Sequence, residues 1–302
     1  AAKPRSWLSS AVLTGSEEGM ERTIAILGAN GQLGSALVQE FGEAKGWIVQ
    51  PLSHADLEIA DRDSIARTLE RAPDVFVNTA FWANEEPEPA FRVNAVGPRL
   101  LAEHLAPRGT RLVQISTDYV FSGDAQRPYQ EDDRAEPRSI YGISKLAGES
   151  AVRSTIANHL IVRVSSLYGH GGSRAKGGTN FVTDMLSMYR QQRPIRVVID
   201  QFHSPTYAPD AASAIRALLE RDATGVVHVS NTGWCSKHEF AQAIFRFAGL
   251  SADVEPIRLA DLPPMPPRPP YTVLAHDALR RNGIPPLRAW DEALGEYVRS
   301  LT

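Results

Sequence analysis

The 302-residue sequence has few of the features that mark a secreted or membrane protein. Its single cysteine, Cys235, excludes a disulfide within these residues, which fits a reducing compartment, and we expect a cytoplasmic protein. No apolar run approaches the roughly 20 residues that a membrane-spanning helix needs, so we predict no membrane partner.

Positive charge is not in excess either. The sequence has 32 lysines and arginines against 35 acidic residues, a formal net charge of −3. Proteins that bind nucleic acids normally show a basic face, so we predict no nucleic-acid partner. Hydrophobic residues make up 43% of the sequence, enough to bury the core of one bilobal α/β enzyme or of two small domains.

A glycine-rich turn joins the first apolar run to the first amphipathic pattern. Thr23–Leu27 is β-branched and apolar, as in a buried parallel strand, and a helical pattern begins at Ser35. Between them, Gly28 permits a tight turn, Gly31 lets the backbone approach a pyrophosphate, and Gly34 lets helix and strand pack closely. The alternative is a glycine-rich turn without a ligand. We predict a dinucleotide site that also includes Asn30, Gln32 and Leu33.

Apolar runs alternate with helical patterns through the first half of the sequence. The predicted strands are Thr23–Leu27, Trp47–Pro51, Val75–Asn78, Arg111–Ser116 and Leu160–Val164. The predicted helices are Ser35–Phe41, Asp63–Arg71, Pro89–Leu105 and Ser139–Ser154. This order is typical of an α/β fold, a Rossmann-like doubly wound parallel sheet that binds ligands at the carboxyl ends of its strands.

The pattern becomes irregular after Val164, which indicates a smaller C-terminal substrate-binding lobe. We assign residues 20–168 to an NAD(P)-binding Rossmann domain, to which 205–230 return. Residues 169–204 and 231–302 form the predicted lobe. Residues 1–19 show neither helical nor strand periodicity and no signal-peptide core, so we expect a disordered extension there.

Tyr141 and Lys145 are the most informative pair in the sequence. Four residues apart on a predicted helix, they share one face. An ammonium beside a phenol favours phenolate, so we expect Lys145 to lower the pKa of Tyr141 from about 10 and to make a proton donor usable near neutral pH. Such a pair also arises by chance on surface helices. Thr117 ends the preceding strand, and we predict Thr117, Tyr141 and Lys145 as catalytic residues.

Longer strings narrow the assignment. They are Val77-Asn78-Thr79-Ala80, Val93-Asn94-Ala95, Gln114-Ile115-Ser116-Thr117-Asp118-Tyr119-Val120-Phe121, Tyr141-Gly142-Ile143-Ser144-Lys145, Asp200-Gln201-Phe202-His203-Ser204-Pro205-Thr206-Tyr207, Arg268-Pro269 and Arg288-Ala289-Trp290-Asp291. From about Glu21 onwards the sequence resembles the dTDP-4-dehydrorhamnose reductase family of extended short-chain dehydrogenase/reductases.

The resemblance implies reduction of a ketone. Tyr141 would donate the proton, Lys145 would also hold the nicotinamide ribose, and the Thr117 hydroxyl would donate a hydrogen bond to the carbonyl oxygen. The substrate implied is a dTDP-linked 4-keto-6-deoxy sugar, most simply dTDP-4-dehydrorhamnose going to dTDP-rhamnose for cell-surface polysaccharide. Related 4,6-dehydratases carry Asp-Glu after the threonine, whereas this sequence has Asp118-Tyr119 and lacks the second carboxylate, so reduction fits better than dehydration.

The cofactor is predicted from the end of the second strand. An NAD site wants a carboxylate there, but Ser53 and His54 occupy the position and tolerate a 2′-phosphate, so we predict NADPH, with NADH as the alternative. A solvated loop histidine is the other interpretation of His54. Further predicted cofactor residues are Glu58 and Ile59 beside the adenine, Thr79 and Ala80 after the third strand, and Ser116.

The substrate diphosphate calls for cations. Arg268, between two prolines, is the leading candidate, and Arg174 and Lys176 follow, with solvated surface charge as the alternative. Phe202 and Ser204 are also predicted to contact substrate. We predict no metal site, and a homodimer is left open.

The sequence departs from the family around the expected sugar pocket. The segment after Ala80 is about five residues shorter, Ser166 replaces a tryptophan, and Gly169–Gly178 is expanded. Two rival functions therefore remain. One is a non-catalytic regulatory subunit of the methionine adenosyltransferase β type, and the other is a reductase of a different carbonyl compound.

Overall fold

The computed structural model describes residues 21–171, 177–263 and 266–301, so the extension predicted at residues 1–19 lies outside the described residues. The strands are β1 (Arg22–Leu27), β2 (Trp47–Leu52), β3 (Val75–Asn78), β4 (Arg111–Thr117), β5 (His159–Val164), β6 (Leu167–Tyr168), β7 (Ile195–Val198), β8 (Phe202–His203), β9 (Thr206–Tyr207), β10 (Gly225–Val229), β11 (Cys235–Ser236), β12 (Val254–Ile257) and β13 (Tyr271–Thr272). The α-helices are α1 (Gln32–Glu43), α2 (Arg62–Thr68), α3 (Pro87–Phe91), α4 (Gly97–Leu105), α5 (Ile140–Thr155), α6 (Phe181–Arg190), α7 (Ala208–Glu220), α8 (Lys237–Phe247), α9 (Asp277–Arg281) and α10 (Trp290–Leu301).

Six strands form one parallel sheet in the order β2-β1-β3-β4-β5-β10. The order reverses direction between β1 and β3, which is where a doubly wound sheet opens a crevice for ligands. The register sets Leu27 opposite Asn78 and Thr117 opposite Val164, so the ends of β1, β3, β4 and β5 meet at one edge. The predicted α/β doubly wound fold is confirmed.

Both faces of the sheet are covered by helices. Residues of α1 and α7 pack with one face, and residues of α4 and α5 pack with the other. The central strands lie between the two helical layers: every residue of β3 and β4 is buried, and so are the last four residues of β1.

A separate hydrophobic core lies outside the sheet. It joins α6, α8 and α10 around Tyr168, Phe240 and Tyr297. A three-stranded sheet in the order β11-β8-β13 lies in the same half of the sequence. The domain boundaries given above stay a prediction. In the described ranges, no helix combines the length and apolar character that a membrane crossing requires.

The helix predicted over Pro89–Leu105 is present, but it is not one regular α-helix. The structure has α3, then a π-helical turn at Arg92–Val96, then α4. Pro98 has no N–H to donate to the carbonyl four residues earlier, so a regular α-helix is interrupted there. The turn buries the Asn94 side chain, which bonds to the backbone of Trp82 and donates to Ser144 Oγ on α5 at 2.9 Å.

Candidate active site

The glycine turn between β1 and α1 is packed too tightly for side chains. Gly28 has φ +85°, and a Cβ there would lie 2.3 Å from Thr79 Oγ1. A Cβ on Gly34 would lie 2.0 Å from the Gly28 carbonyl oxygen. Thr79 donates its hydroxyl to the Leu27 carbonyl at 2.7 Å, which ties the end of β3 to the turn. Glycine is therefore required for this strand-to-helix connection.

The turn leaves polar groups available for a dinucleotide. No side chain caps the N-terminus of α1, so its first N–H groups remain for an anion. Gln32 Nε2 is buried and has no hydrogen-bond partner among the described residues. Asn30 is exposed beside them, whereas the Leu33 side chain belongs to the core. These residues suit the phosphates of a nicotinamide dinucleotide. Leu33 could contact such a cofactor only through its backbone.

A carboxylate lies close to the end of β2, although none stands at Ser53 or His54 themselves. Asp56 folds back and accepts hydrogen bonds from Ser53 N at 2.8 Å and Ser53 Oγ at 2.6 Å, which lower the pKa of Asp56. His54 Nε2 lies 3.1 Å from Glu58 Oε2. The sequence hides this carboxylate because the turn brings it back from three residues downstream. Ile59 is buried in the core, and its place beside an adenine stays a prediction.

Helix α5 is capped so that Tyr141 faces the carboxyl end of β4. Ser139 Oγ accepts from Gly142 N at 3.1 Å, and a carboxylate of Glu85 accepts from Ile140 N at 2.6 Å. A Cβ on Gly142 would lie 2.2 Å from the Tyr119 carbonyl oxygen, so the first turn of α5 touches the turn after β4. Sequence reasoning missed Glu85, because its contact with α5 spans more than fifty residues of chain.

The pKa of Tyr141 is shifted against the direction predicted from the sequence. Burial raises the pKa of the half-buried phenol, a hydrogen bond with Thr117 opposes this, and the charge of Asp118 adds to it. Lys145 is not among the groups that shift this pKa; its Nζ donates to the Ile115 carbonyl at 2.6 Å inside the protein. The expectation that Lys145 lowers the pKa of Tyr141 is therefore wrong. The neutral phenol is nevertheless the form that can donate a proton.

Lys145 is itself held in an unusual environment. Burial lowers its pKa to about 8, and Glu149 one turn further along α5 opposes the shift. Glu149 forms a buried ion pair with Arg163 and accepts from Ser116 Oγ at 2.5 Å. The predicted cofactor contact of Ser116 can therefore involve only its backbone, since the hydroxyl is bonded in the core.

Asp118 is a buried carboxylate directly beside the predicted catalytic threonine. Its Oδ1 accepts from Thr117 Oγ1 at 3.1 Å, and its Oδ2 accepts from Ser165 Oγ at 2.7 Å. Burial raises the pKa of Asp118 above its ordinary value, and hydrogen bonds from Thr272 and Ser165 and the charge of Lys237 oppose this shift without cancelling it. The site thus holds a carboxylate behind Thr117.

Aromatic and cationic groups lie around Tyr119, the residue after Asp118. The Tyr119 ring lies 6.0 Å from the Tyr141 ring, and its hydroxyl accepts from Gln201 Nε2 at 3.4 Å. Arg268 is exposed and acts electrostatically on Tyr119, whose pKa burial raises. The Phe202 ring contacts Trp234 edge-on at 5.6 Å, and Trp234 is 51% exposed. The structure thus brings Arg268 near Tyr119, whereas Phe202 packs against Trp234 and is linked to Tyr119 only through the neighbouring Gln201.

Other predicted substrate residues are not placed in an open site. Ser204 is fully buried and accepts from Leu274 N at 3.2 Å, so its predicted substrate contact is wrong. Arg174 and Lys176 lie outside the described residues. Sequence reasoning missed Lys237 at the start of α8. Its Nζ donates to Ser166 Oγ at 2.8 Å, and Ser166 stands where the family has a tryptophan.

The family model described as the RmlD substrate binding domain matches residues 22–302. The chain belongs to this family. It is 38% identical over 292 residues to the dTDP-4-dehydrorhamnose reductase of Mycolicibacterium smegmatis, covering 93% of this chain and 86% of that one. It is 39% identical over 282 residues to the spore coat polysaccharide biosynthesis protein SpsK of Bacillus subtilis, covering 91% and 96%. The family predicted from the sequence is confirmed.

Solved structures of related proteins have the same fold as this chain. A dTDP-4-dehydrorhamnose reductase from Bacillus anthracis in complex with NADP superposes with a TM-score of 0.87 at 34% identity, covering 93% of this chain and all (100%) of that one. A UDP-glucose 4-epimerase from Thermotoga maritima has a TM-score of 0.79 at 18% identity, covering 92% and 98%, and shares the fold alone.

Proposed function

We propose that this family member is an NADPH-dependent oxidoreductase that reduces the 4-keto group of a nucleotide-activated 6-deoxyhexose, dTDP-4-dehydrorhamnose to dTDP-rhamnose. The observation that carries the proposal is the grouping of Thr117, Tyr141 and Lys145 at the carboxyl end of β4, beside a glycine turn open to a dinucleotide. The names of the relatives and the NADP bound to the Bacillus anthracis protein support it.

Bound NADPH would supply a hydride to the ketone carbon. The protein would bind the cofactor's phosphates at the N-terminus of α1 and hold the keto oxygen against Tyr141. The neutral phenol would donate its proton to that oxygen. Lys145, fixed by the Ile115 carbonyl, presents a cation at the same face of α5, where it is suited to a ribose hydroxyl.

Arg268 and Phe202 are the proposed contacts for the rest of the substrate. Arg268 is exposed near Tyr119, so its guanidinium is accessible to a diphosphate attached to the sugar. The Phe202 and Trp234 rings provide an aromatic surface suited to a nucleobase. Location in the cytoplasm and assembly into a homodimer belong to the same proposal.

The rival functions differ in what they need from these residues. A regulatory subunit needs no proton donor beside a polar hydroxyl at the end of β4, yet Thr117 and Tyr141 are both in place. A reductase of another carbonyl compound would keep the same three residues and differ in the sugar pocket, where Ser166, which accepts from Lys237, stands in place of the family's tryptophan.

The test is NADPH oxidation by the purified protein across a panel of 4-keto-6-deoxy sugar nucleotides, with each product identified by mass spectrometry and NMR. NADPH and NADH are titrated separately at fixed ionic strength. Turnover of dTDP-4-dehydrorhamnose, absent in Tyr141→Phe, supports the proposal. Tight NADPH binding without turnover of any keto sugar would favour the regulatory subunit.

A further inference from the structure

Phe81 is an exposed aromatic side chain beside the proposed proton donor. Its ring is 45% exposed, and it meets the Tyr141 ring edge-to-face with 6.4 Å between the ring centroids. Among the large hydrophobic side chains that the structure describes as exposed, Trp234 is the other aromatic one. A single exposed apolar side chain is ordinary on a protein surface, so exposure alone does not indicate a ligand.

The position of Phe81 in the chain is more informative. A Cβ on Gly28 would lie 2.3 Å from Thr79 Oγ1 and 3.4 Å from Ala80 N, so the residues just before Phe81 lie against the turn that is suited to phosphates. On its other side, the Phe81 ring contacts Tyr141. In a nicotinamide dinucleotide one ribose joins the phosphates to the nicotinamide ring. A cofactor that reaches from the turn to the phenol therefore passes Phe81 with its nicotinamide riboside half.

The backbone around Phe81 is fixed by the protein's own hydrogen bonds. Asn94 Oδ1 accepts from Trp82 N at 2.8 Å, and Asn94 Nδ2 donates to the Trp82 carbonyl at 2.9 Å. The Glu85 carboxylate accepts from Ile140 N at 2.6 Å, at the start of α5. The segment after β3 is thus tied to the π-helical turn and to α5. A side chain carried by fixed backbone loses little conformational entropy when a ligand covers it.

Resting on the proposed binding of NADPH, we propose that Phe81 is a cofactor-binding residue whose ring packs against the nicotinamide riboside half of the dinucleotide. The contact is apolar, because a phenyl ring has neither a hydrogen-bond donor nor an acceptor and covering it removes apolar surface from water. The glycine turn and Lys145 bind the polar parts of the cofactor, and Phe81 holds its nicotinamide end beside Tyr141.

The first experiment compares two ligands in Phe81→Ala by calorimetric titration. One is NADPH, and the other is 2′-phosphoadenosine 5′-diphosphate, which keeps the adenosine and the two phosphates but lacks the nicotinamide riboside. We expect the Kd for NADPH to rise about tenfold, as when a partly exposed phenyl ring no longer packs against a ligand. The Kd for the fragment should change by less than about twofold. Equal losses for both ligands would show a general distortion of the site, and no loss for either would show solvated surface. Both results overturn the proposal.

Two further variants serve as controls. Phe81→Leu keeps an apolar side chain and should retain most of the NADPH affinity. Ile48→Ala removes another exposed apolar side chain, 49% exposed near the amino end of β2, whereas ligands of such a sheet bind at the carboxyl ends of its strands. Both of its dissociation constants should match wild type. Phe81 and Ile48 belong to no described hydrophobic core, so melting temperatures should stay close to wild type in all variants.

Steady-state kinetics then separates the cofactor from the sugar nucleotide. Phe81→Ala should raise the KM for NADPH and leave the KM for the sugar nucleotide within about twofold of wild type. The reverse pattern would place the ring against the sugar and overturn the proposal. The titrations need no substrate, so they test Phe81 even if the protein reduces a different carbonyl compound. Failure of wild type to bind NADPH would overturn the proposed oxidoreductase itself, and the contact of Phe81 with it.

Discussion

At the scale of single residues, the proposed chemistry depends on which buried groups keep their protons. Tyr141 stays protonated because burial and the charge of Asp118 raise its pKa. Burial lowers the pKa of Lys145 to about 8, which still leaves it mostly cationic at neutral pH. A neutral donor and a cation on one face of α5 are the combination that transfers a proton to a ketone while holding a polar cofactor group.

Tyr141→Phe should keep NADPH binding and lose nearly all turnover. The substitution removes only the hydroxyl, which acts on the keto oxygen and lies away from the cofactor's phosphates. General acid catalysis is typically worth about 10²–10⁴-fold, so kcat should fall by that factor. Steady-state kinetics measures the loss of turnover, and NADPH fluorescence titration measures the retained cofactor binding. A variant that retains more than about a tenth of wild-type kcat would assign proton donation to another group.

Arg268→Ala should raise the KM for the sugar nucleotide without changing NADPH affinity. The exposed guanidinium lies near Tyr119, and the flanking Pro267 and Pro269 restrict the backbone that carries it. A charge-assisted contact with a diphosphate is worth about 1.5–3 kcal/mol, roughly a tenfold to hundredfold change in affinity.

The matched variant is Arg268→Lys, which keeps the charge but cannot present a planar fork. It should recover only part of the lost affinity. If Arg268→Ala leaves the KM for the true substrate unchanged, the arginine is solvated surface and the diphosphate is bound elsewhere.

At the scale of elements, α5 owes its position to contact with the π-helical turn at Arg92–Val96. A Cβ on Gly148 would lie 2.0 Å from the Asn94 carbonyl oxygen, and that oxygen belongs to backbone that cannot step aside. Gly148→Ala should therefore destabilise the protein by about 1–3 kcal/mol, as overpacking does. Urea unfolding measures the change.

The control for Gly148→Ala is Gly42→Ala on α1. A Cβ at Gly42 meets nothing within 4 Å, so alanine should be neutral or should stabilise by about 0.5–1 kcal/mol through helix propensity. Equal stability of the two variants would mean that α5 shifts freely away from the π-helical turn.

The elements that sequence reasoning predicted well are those whose signals are local. β3 was bounded correctly at Val75–Asn78, because a buried parallel strand is a short apolar run with polar ends. The π-helical turn inside the helix predicted over Pro89–Leu105 has no such signal, because the pattern of apolar residues continues through Pro98 while the regular α-helical hydrogen bonds do not. The spacing of apolar residues indicates which face of a helix is buried, but it does not distinguish an α-helical turn from a π-helical turn with one more residue.

The candidate site divides in the same way. The spacing of Tyr141 and Lys145 and the glycine turn are local signals, so sequence was enough to find them. The sequence did not give the direction of the Tyr141 pKa shift correctly, because that direction depends on burial, which only the packed fold determines. Asp56 and Glu85 were missed for a related reason: a turn and a long-range contact bring their carboxylates to places that sequence distance does not indicate.

At the scale of the whole molecule, buried histidines make folding sensitive to acid. Burial lowers the pKa of His228 to about 3 and of His276 to about 4, from 6.5 for a free imidazole. His203 is shifted the same way, and neither of its ring nitrogens has a partner among the described residues. As pH falls below about 6.5, these histidines bind protons in the unfolded chain but stay neutral in the folded protein. The free energy of unfolding therefore decreases on acidification.

His276→Asn should flatten this dependence between about pH 6.5 and pH 4. Each pKa unit is worth about 1.4 kcal/mol, so His276 alone accounts for up to about 3 kcal/mol of the loss. Unfolding free energies from urea titrations across that range give the slope, which is compared between proteins so that a uniform loss of stability does not matter. His54→Asn, at a side chain that is 76% exposed, is the control and should keep the wild-type slope. If His276→Asn keeps that slope too, the imidazole is protonated in the folded protein and its hydrogen bond with Ser230 Oγ must rearrange to accommodate the charge.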